Sequence, residues 1–367
     1  MEIRKILTIS PNDQGISWGP AIHYLELWNA LRQARPAWEI EGLAPDWTGK
    51  EPILTPVFAL RRLKVADLPL LRSVFFDLRA ALAILFGRAS LVYLRTSHFH
   101  LFTLAALLLR RLPLVIELNG INSSDSRSAG KGWLYRKISH FQERSLFRRC
   151  QAAIAVSHSI ENHARAAGVR LCVTIANGVA PRYFANPPRQ IPSRPRIIYV
   201  GTFTPWDGAA EVITLARDFP EVDFLMVGDG SRRTGLAATA PANVEFLGSR
   251  PYGELPVIYA GADAGIVLYE LERHRSVEVS SLKTLEYVAC GLPIFSSAIP
   301  GQSFIADNGI GVLTPETAGE VCNEHFRTFI ADLPQLRARA LEYRAGAGRE
   351  LSWERTARET ASFLESL

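Results

Sequence analysis

No apolar run in this 367-residue sequence reaches the roughly 18 residues needed to cross a bilayer. The nearest candidate, L-F-T-L-A-A-L-L-L at 101–109, stops at Arg110 and Arg111. The first residues, M-E-I-R-K-I-L-T-I-S, contain no long apolar stretch, so no signal peptide is expected there. Cysteine is scarce. Four occur, at 150, 172, 290 and 322, and their spacing fits neither a CxxC pair nor a zinc ligand set. Nothing therefore calls for an oxidising compartment, and Cys172 and Cys290 are expected to pack as small hydrophobes. Excess charge is small as well. A formal net charge of +5 and a pI of about 9.1 fall short of a dedicated nucleic-acid binder, though they favour anionic ligands or an anionic membrane.

What remains is a globular composition, 48% apolar and 21% charged, in a chain long enough for two domains. Short apolar runs alternate with helical patterns throughout. Candidate strands lie at 6–9, 40–43, 91–94, 114–118, 153–156 and 173–175, then at 197–200, 224–227, 244–247, 265–268 and 294–297. Helical patterns fill the gaps, as at 21–33, 132–149, 209–219 and 333–345. Between the two sets, A-P-R-Y-F-A-N-P-P-R-Q-I-P-S-R-P-R at 180–196 is dense in proline, which removes backbone donors, and reads as a linker rather than an element. Strand–helix alternation predicts parallel sheets covered by helices. Ligands of such sheets bind at the carboxyl ends of the strands, and with two domains the default site is the cleft between them.

The densest polar pattern is S-V-E-V-S-S-L-K-T-L-E-Y-V-A-C-G-L-P at 276–293. Ser280 or Ser281 can cap a helix, Gly291 can end it in the left-handed conformation, and Pro293 prevents its continuation. Leu282, Leu285, Val288 and Ala289 follow helical spacing toward a core, while Lys283 and Glu286 share the other face. A helix N-terminus presents free N–H groups and positive partial charge, which suit a phosphate. Lys283 in the first turn adds a cation there. Glu286, one turn on, can accept both hydroxyls of a ribose, and Glu278, in the loop before the cap, can hold the hydroxyls of a sugar. The pattern describes a nucleoside diphosphate sugar lying across one helix N-terminus. The plain alternative is a capped surface helix with an ordinary Lys–Glu pair.

The order of motifs decides between them. Glu278-x7-Glu286 with the following S-L-K-T-L-E-Y-V-A-C-G-L-P resembles the signature of the family 4 retaining glycosyltransferases (glycosyltransferase group 1). A-N-G-V (176–179), Y-V-G-T-F (199–203), M-V-G-D-G (226–230), V-E-F-L-G (244–248), A-G-A-D-A-G-I-V-L-Y (260–269) and L-S-W-E-R (351–355) are similar to further family segments in the family's order. E-L-N-G (117–120) and A-V-S (155–157) match more loosely. The resemblance implies the α/β GT-B architecture, two Rossmann-like doubly wound domains facing across a cleft. The expected domains are 1–185 on the acceptor side, with helix 352–367 packing back on it, and 196–350 on the donor side.

Carried over residue by residue, the resemblance places Glu286 on the donor ribose and Glu278 on the donor sugar. The backbone N–H groups of Ser281 and Leu282 meet the diphosphate beside Lys283. Arg250 lies near the base, Gly201 and Thr202 stand at a strand end beside the donor, and Gly19 sits in the loop after the first strand, where the backbone approaches the donor. Asn119 faces the transferred sugar. The resemblance implies no cofactor and no bound metal; the substrate is a nucleotide diphosphate sugar, UDP- or GDP-linked, and the acceptor is a saccharide or a lipid-linked molecule, with no nucleic acid. Catalysis is expected to rest on Glu278, Lys283 and Asn119.

Two departures stand out. Thr202 and Asp207 occupy the places where the family carries an arginine and a lysine that grip the diphosphate, so Lys283, Arg273 or Arg275 would have to substitute. Trp18 replaces the first of two glycines usual in the first-domain loop. The expected activity is retaining sugar transfer in surface polysaccharide or glycolipid assembly, in the cytoplasm. The alternative is a catalytically impaired relative acting as a binding or partner subunit.

Three further features carry weaker expectations. The segment 68–87 is almost wholly apolar between flanking arginines. It reads as a helix packed on the sheet with a narrow wet stripe, with peripheral contact at the inner face of a membrane kept as the alternative. His98 reads as a hydrogen-bonded structural histidine. Trp206 is equally suited to packing its loop and to stacking on a ligand.

Overall fold

The computed structural model describes residues 5–16, 18–65, 71–96, 99–121, 132–185, 190–204, 207–271, 278, 280–348 and 350–367, without the side chains of residues 134 and 135. The chain divides into two compact units, residues 1–176 with 353–367, and residues 177–352.

The first unit runs β1 (Lys5–Ile9), α1 (Gly19–Ala34), β2 (Glu39–Asp46), β3 (Ala59–Lys64), α2 (Arg72–Phe86), β4 (Leu91–Arg95), α3 (Leu101–Arg110), β5 (Leu114–Leu118), α4 (Trp133–Arg149), β6 (Ala152–Ala155), α5 (His158–Ala166) and β7 (Cys172–Thr174). Among the described residues its strands form one parallel sheet in the order β3-β2-β1-β4-β5-β6-β7, with Ile6 beside both Ile40 and Leu91, and Leu94 beside Ile116. Helices cover both faces of such a sheet, so its central strands are buried throughout and read as apolar runs. Pro20 lies in the first turn of α1, where its missing N–H costs nothing.

The second unit runs β8 (Arg196–Gly201), α6 (Ala209–Asp218), β9 (Asp223–Gly228), α7 (Arg233–Thr239), β10 (Val244–Gly248), α8 (Leu255–Ala260), β11 (Ala264–Val267), α9 (Leu282–Ala289), β12 (Ile294–Ser297), α10 (Ser303–Asp307), β13 (Gly311–Thr314), α11 (Gly319–Ala331) and α12 (Leu333–Ala347). Its parallel sheet has the order β10-β9-β8-β11-β12-β13, with Ile197 beside Phe224 and Gly265 beside Ile294. Phe326 of α11 packs edge-on to Phe219 and Phe295, at 4.7 and 5.1 Å between ring centroids, and closes the core beneath the sheet. In each unit the strand order reverses beside the first strand, β1 next to β4 and β8 next to β11, and that reversal opens a crevice at the carboxyl ends.

The final helix, α13 (Trp353–Glu365), belongs to the first unit. Trp353 meets His23 of α1 edge-on at 5.2 Å, and Arg35 at the end of α1 holds both oxygens of Glu365, at 2.5 and 3.0 Å.

Three sequence expectations need correction. The proline- and arginine-rich stretch is not wholly a linker: Pro181–Phe184 form a 3-10 turn, and Tyr183 within it is fully buried against Tyr252 and Tyr259. Helix α2 has no narrow polar stripe. Asp77 is buried, where its carboxylate accepts from the N–H groups of Phe102 and Thr103 and so caps α3, and much of the outward face of α2 is apolar. Edge strands β3 and β13 are additional to the strands expected from apolar runs. All four cysteines are free, and three are buried. Burial pushes the Cys172 and Cys322 thiols up to about 11, which leaves them as inert packing groups.

Candidate functional site

In the second unit the site is built around α9. Gly265 on β11 leaves room for the Tyr287 ring, and the Tyr287 hydroxyl donates to the Ile198 carbonyl at 3.1 Å, so the helix lies directly on β8 and β11. Ser281 is the N-cap. Its Oγ accepts from the Thr284 N–H at 3.4 Å and from the Tyr269 hydroxyl at 3.1 Å. At the other end Gly291 adopts φ +69°, the Gly291 N–H reaches Val288, and the Leu292 N–H reaches Tyr287, both at 2.9 Å. This paired closure satisfies two carbonyls of the last turn and requires the left-handed residue that glycine supplies.

Lys283, in the first turn, has its Nζ 5.0 Å from the centre of the Tyr199 ring and 5.2 Å from that of Tyr269. The two rings hold the ammonium by its charge and shield its stem. The same Nζ lies 3.9 Å from Asp207 Oδ1. Asp207 Oδ2 in turn accepts from the Thr202 N–H at 2.7 Å and from the Thr202 hydroxyl at 2.6 Å. The two residues that depart from the family pattern are therefore bonded to each other, and Asp207 faces the lysine of the helix. Gly201 ends β8 just before them, and a Cβ there would run into the Tyr199 phenol.

Glu286 does not lie on an open polar face shared with Lys283, as its spacing suggested. It is buried, and its Oε2 accepts from the Tyr259 hydroxyl of α8 at 2.8 Å. Tyr183, Tyr259 and Tyr287 cluster around it. Burial and then the nearby carboxylate charge raise the phenol pKa of Tyr183 and Tyr259 well above the usual value, so those phenols stay protonated and can donate. Glu278 is half-buried before the cap, and Arg250 is exposed just past β10. Arg273, Arg275, His98 and Trp206 lie outside the described residues.

Gly19 and Asn119 belong to the first unit. Gly19 is the first residue of α1 rather than part of the preceding loop, because Trp18 takes the capping position. Asn119 follows β5, and its side-chain amide donates to Glu117 Oε1. That contact reveals a group the motif reading missed. Glu117 is 2% exposed, yet its carboxylate meets Arg95 Nη1 and His23 Nε2, both at 3.0 Å, and the Tyr93 hydroxyl at 2.9 Å. Burial alone would push the Glu117 carboxyl up. The charges of His23 and Arg95 and the bonds from His23 and Asn119 outweigh that and hold it well below the usual carboxylate range. The signal was present in the sequence, a lone carboxylate inside the buried strand L-V-I-E-L.

A helix N-terminus flanked by a shielded lysine, followed within one turn by a buried and oriented carboxylate, can hold a phosphate and a vicinal diol together. The sequence model of the glycosyl transferases group 1 matches residues 185–345, and that of glycosyltransferase family 4 matches residues 19–183. No curated protein matches the chain by sequence. Among solved structures, the fold is similar to sucrose-phosphate synthase from Thermosynechococcus elongatus, with 18% identity, TM-score 0.78, and 99% of this chain and 98% of that chain covered. It is similar to Anabaena HepE, solved with UDP and glucose, with 16% identity, TM-score 0.74 and full coverage of both chains. WaaG, a glycosyltransferase involved in lipopolysaccharide biosynthesis, has 17% identity and TM-score 0.72, with 98% of this chain and 99% of that chain covered. Two adjoining family matches that together span nearly the whole chain, on two Rossmann-like sheets, place this protein among the group 1 glycosyltransferases of GT-B fold.

Proposed function

We propose that this glycosyltransferase moves a sugar from a nucleoside diphosphate sugar to an acceptor hydroxyl with retention of anomeric configuration. The observation that carries the reading is the arrangement on α9, where the Ser281 cap and Lys283 stand at the phosphate end and Tyr259 orients Glu286 one turn on. In this reading Glu286 takes the donor ribose and Glu278 the hydroxyls of the transferred sugar. The N–H groups at Ser281 and Leu282, with Lys283, take up charge on the departing diphosphate. That counter-charge comes from the protein, so transfer needs neither a bound metal nor a cofactor. The bond from the anomeric carbon to the diphosphate oxygen breaks as the acceptor oxygen bonds on the same face, and the acceptor proton passes to the departing phosphate oxygen. Gly201, Thr202 and Arg250, all of the second unit, border the donor.

HepE, solved with UDP and with UDP-glucose, makes UDP the first nucleotide to try. The acceptor is a saccharide or a lipid-linked molecule, in surface polysaccharide or glycolipid assembly. Calorimetric and thermal-shift titration with UDP, GDP, ADP and their sugar conjugates tests the reading. A ligand at about a hundred times its Kd stabilises the fold by ~2.7 kcal/mol. Binding of one nucleotide that Glu286→Ala abolishes supports it. No binding by any of them rejects it and favours the second reading, a binding or partner subunit, for which the Thr202–Asp207 pair is the specific observation.

A further inference from the structure

Right-handed crossovers from β3 to β4, β4 to β5, β5 to β6 and β6 to β7 all run the same way across the first sheet, so α2, α3, α4 and α5 share one face, with α2, α3 and α4 side by side. They are tied together. Asp77 of α2 caps the start of α3, and Arg149 of α4 donates to the Leu107 and Leu112 carbonyls at its end, at 3.1 and 2.8 Å. Large apolar side chains stand exposed on these three helices. Phe86 is 82% exposed, Leu109 75%, Phe141 63%, Trp133 62% and Leu108 56%. The exposed charges of these three helices have one sign. Arg79, Arg110, Arg136, Lys137, Arg144 and Arg148 are exposed, whereas the acids of the three helices, Asp77 and Glu143, are both buried. Beside α2 a cavity of about 360 Å³ is lined by Arg61, Arg79, Arg88, Leu82 and Phe86. Its carboxylate, Glu41, is paired with Lys5 at 3.2 Å and Arg61 at 3.4 Å.

We infer that this face docks the protein on the surface of a bilayer containing anionic phospholipid. Exposed aromatic and leucine side chains enter the boundary between headgroups and acyl chains, and the surrounding arginines stay at headgroup level, where anionic lipid supplies the missing negative charge. The cavity beside α2 offers guanidinium groups over an apolar wall, the chemistry of a phosphate headgroup with its acyl chains. A second copy of the face fits poorly, because it would set cation against cation. No helix among the described residues is long and apolar enough to cross a membrane, so docking is peripheral.

The inference does not depend on the transfer reading, and nucleotide binding measured on the same samples keeps the two apart. The full chain is floated with vesicles of phosphatidylcholine alone and with vesicles containing phosphatidylglycerol, at low and high salt. Flotation is expected with the anionic vesicles only, and is expected to weaken with salt. Charge reversal at two cations, Arg136→Glu with Lys137→Glu, is expected to lower the apparent affinity at least ~10-fold. Phe86→Ser with Leu109→Ser should lose flotation while thermal unfolding stays unchanged. Failure of the wild-type chain to float with anionic vesicles overturns the inference, as does flotation of both variants at wild-type level. It is also overturned if the chain self-associates without lipid and the apolar variant abolishes that association without changing flotation.

Discussion

Asp207 accepts both the backbone N–H and the hydroxyl of Thr202 through one oxygen, while its other oxygen lies 3.9 Å from Lys283 Nζ. Where the resemblance expects two cations, a threonine and a carboxylate are thus bonded to each other, and the carboxylate faces Lys283.

Asp207→Asn keeps an oxygen for Thr202 but removes the charge. If the proposed reading holds, one anion fewer beside a diphosphate bound at this end of α9 should raise nucleoside diphosphate affinity by roughly 1 kcal/mol, about fivefold in Kd, given partial solvent screening. Calorimetry reads the change directly. A weaker affinity in the variant would mean that Asp207 serves the site by fixing the loop and Lys283, not by opposing the ligand.

Tyr259→Phe leaves the Glu286 carboxylate buried without its phenol donor. A buried charged acceptor that loses one partner costs about 1–3 kcal/mol, which urea unfolding should show. Nucleotide-sugar affinity should fall as well, since the carboxylate is no longer held in place. Unchanged stability with unchanged affinity would remove Tyr259 from the account of the site.

Glu117 should make the first unit acid-sensitive in a defined window. Its folded pKa lies below the unfolded value, so its contribution is complete above about pH 4.3 and is lost as pH falls below that. Glu117→Gln breaks a buried network and should cost about 3–5 kcal/mol at neutral pH. The gap between wild type and variant should narrow below pH ~4, which denaturant unfolding across pH 3–7 would resolve. A constant gap over that range would mean that packing, rather than charge, supplies the cost.

The sequence made the central strands legible because both their faces are covered, as in L-V-Y-L-R and L-V-I-E-L. Edge strand β3, A-L-R-R-L-K, buries only Leu63; such charged edges discourage pairing with other chains and also hide the strand from a search for apolar runs. Helix α9 could be placed from local chemistry alone, since its cap, its left-handed end and Pro293 are close in sequence. The setting of Glu286 was not legible, because Tyr259, which orients it, lies 27 residues away on another helix. The same holds for Asp207: its identity marked a departure, but only the folded loop turns its carboxylate onto Thr202. Burial of the Asp77 carboxylate likewise depends on α3 arriving beside α2, and without that cap the outward face of α2 could not be told from its inward one.

The return of α13 to α1 has a bearing on the order of folding during synthesis. The second unit is one continuous stretch, 177–352, and holds all its parts once that stretch has been made. The first unit begins earlier but lacks its closing helix until residues 353–367 emerge. Trp353 covers His23, and His23 reaches Glu117, so the buried charge cluster stays uncovered while the whole second unit is being synthesised. A released chain that ends before Trp353 would therefore carry a complete second unit and an unsealed first one, with exposure to proteases and chaperones concentrated in the first.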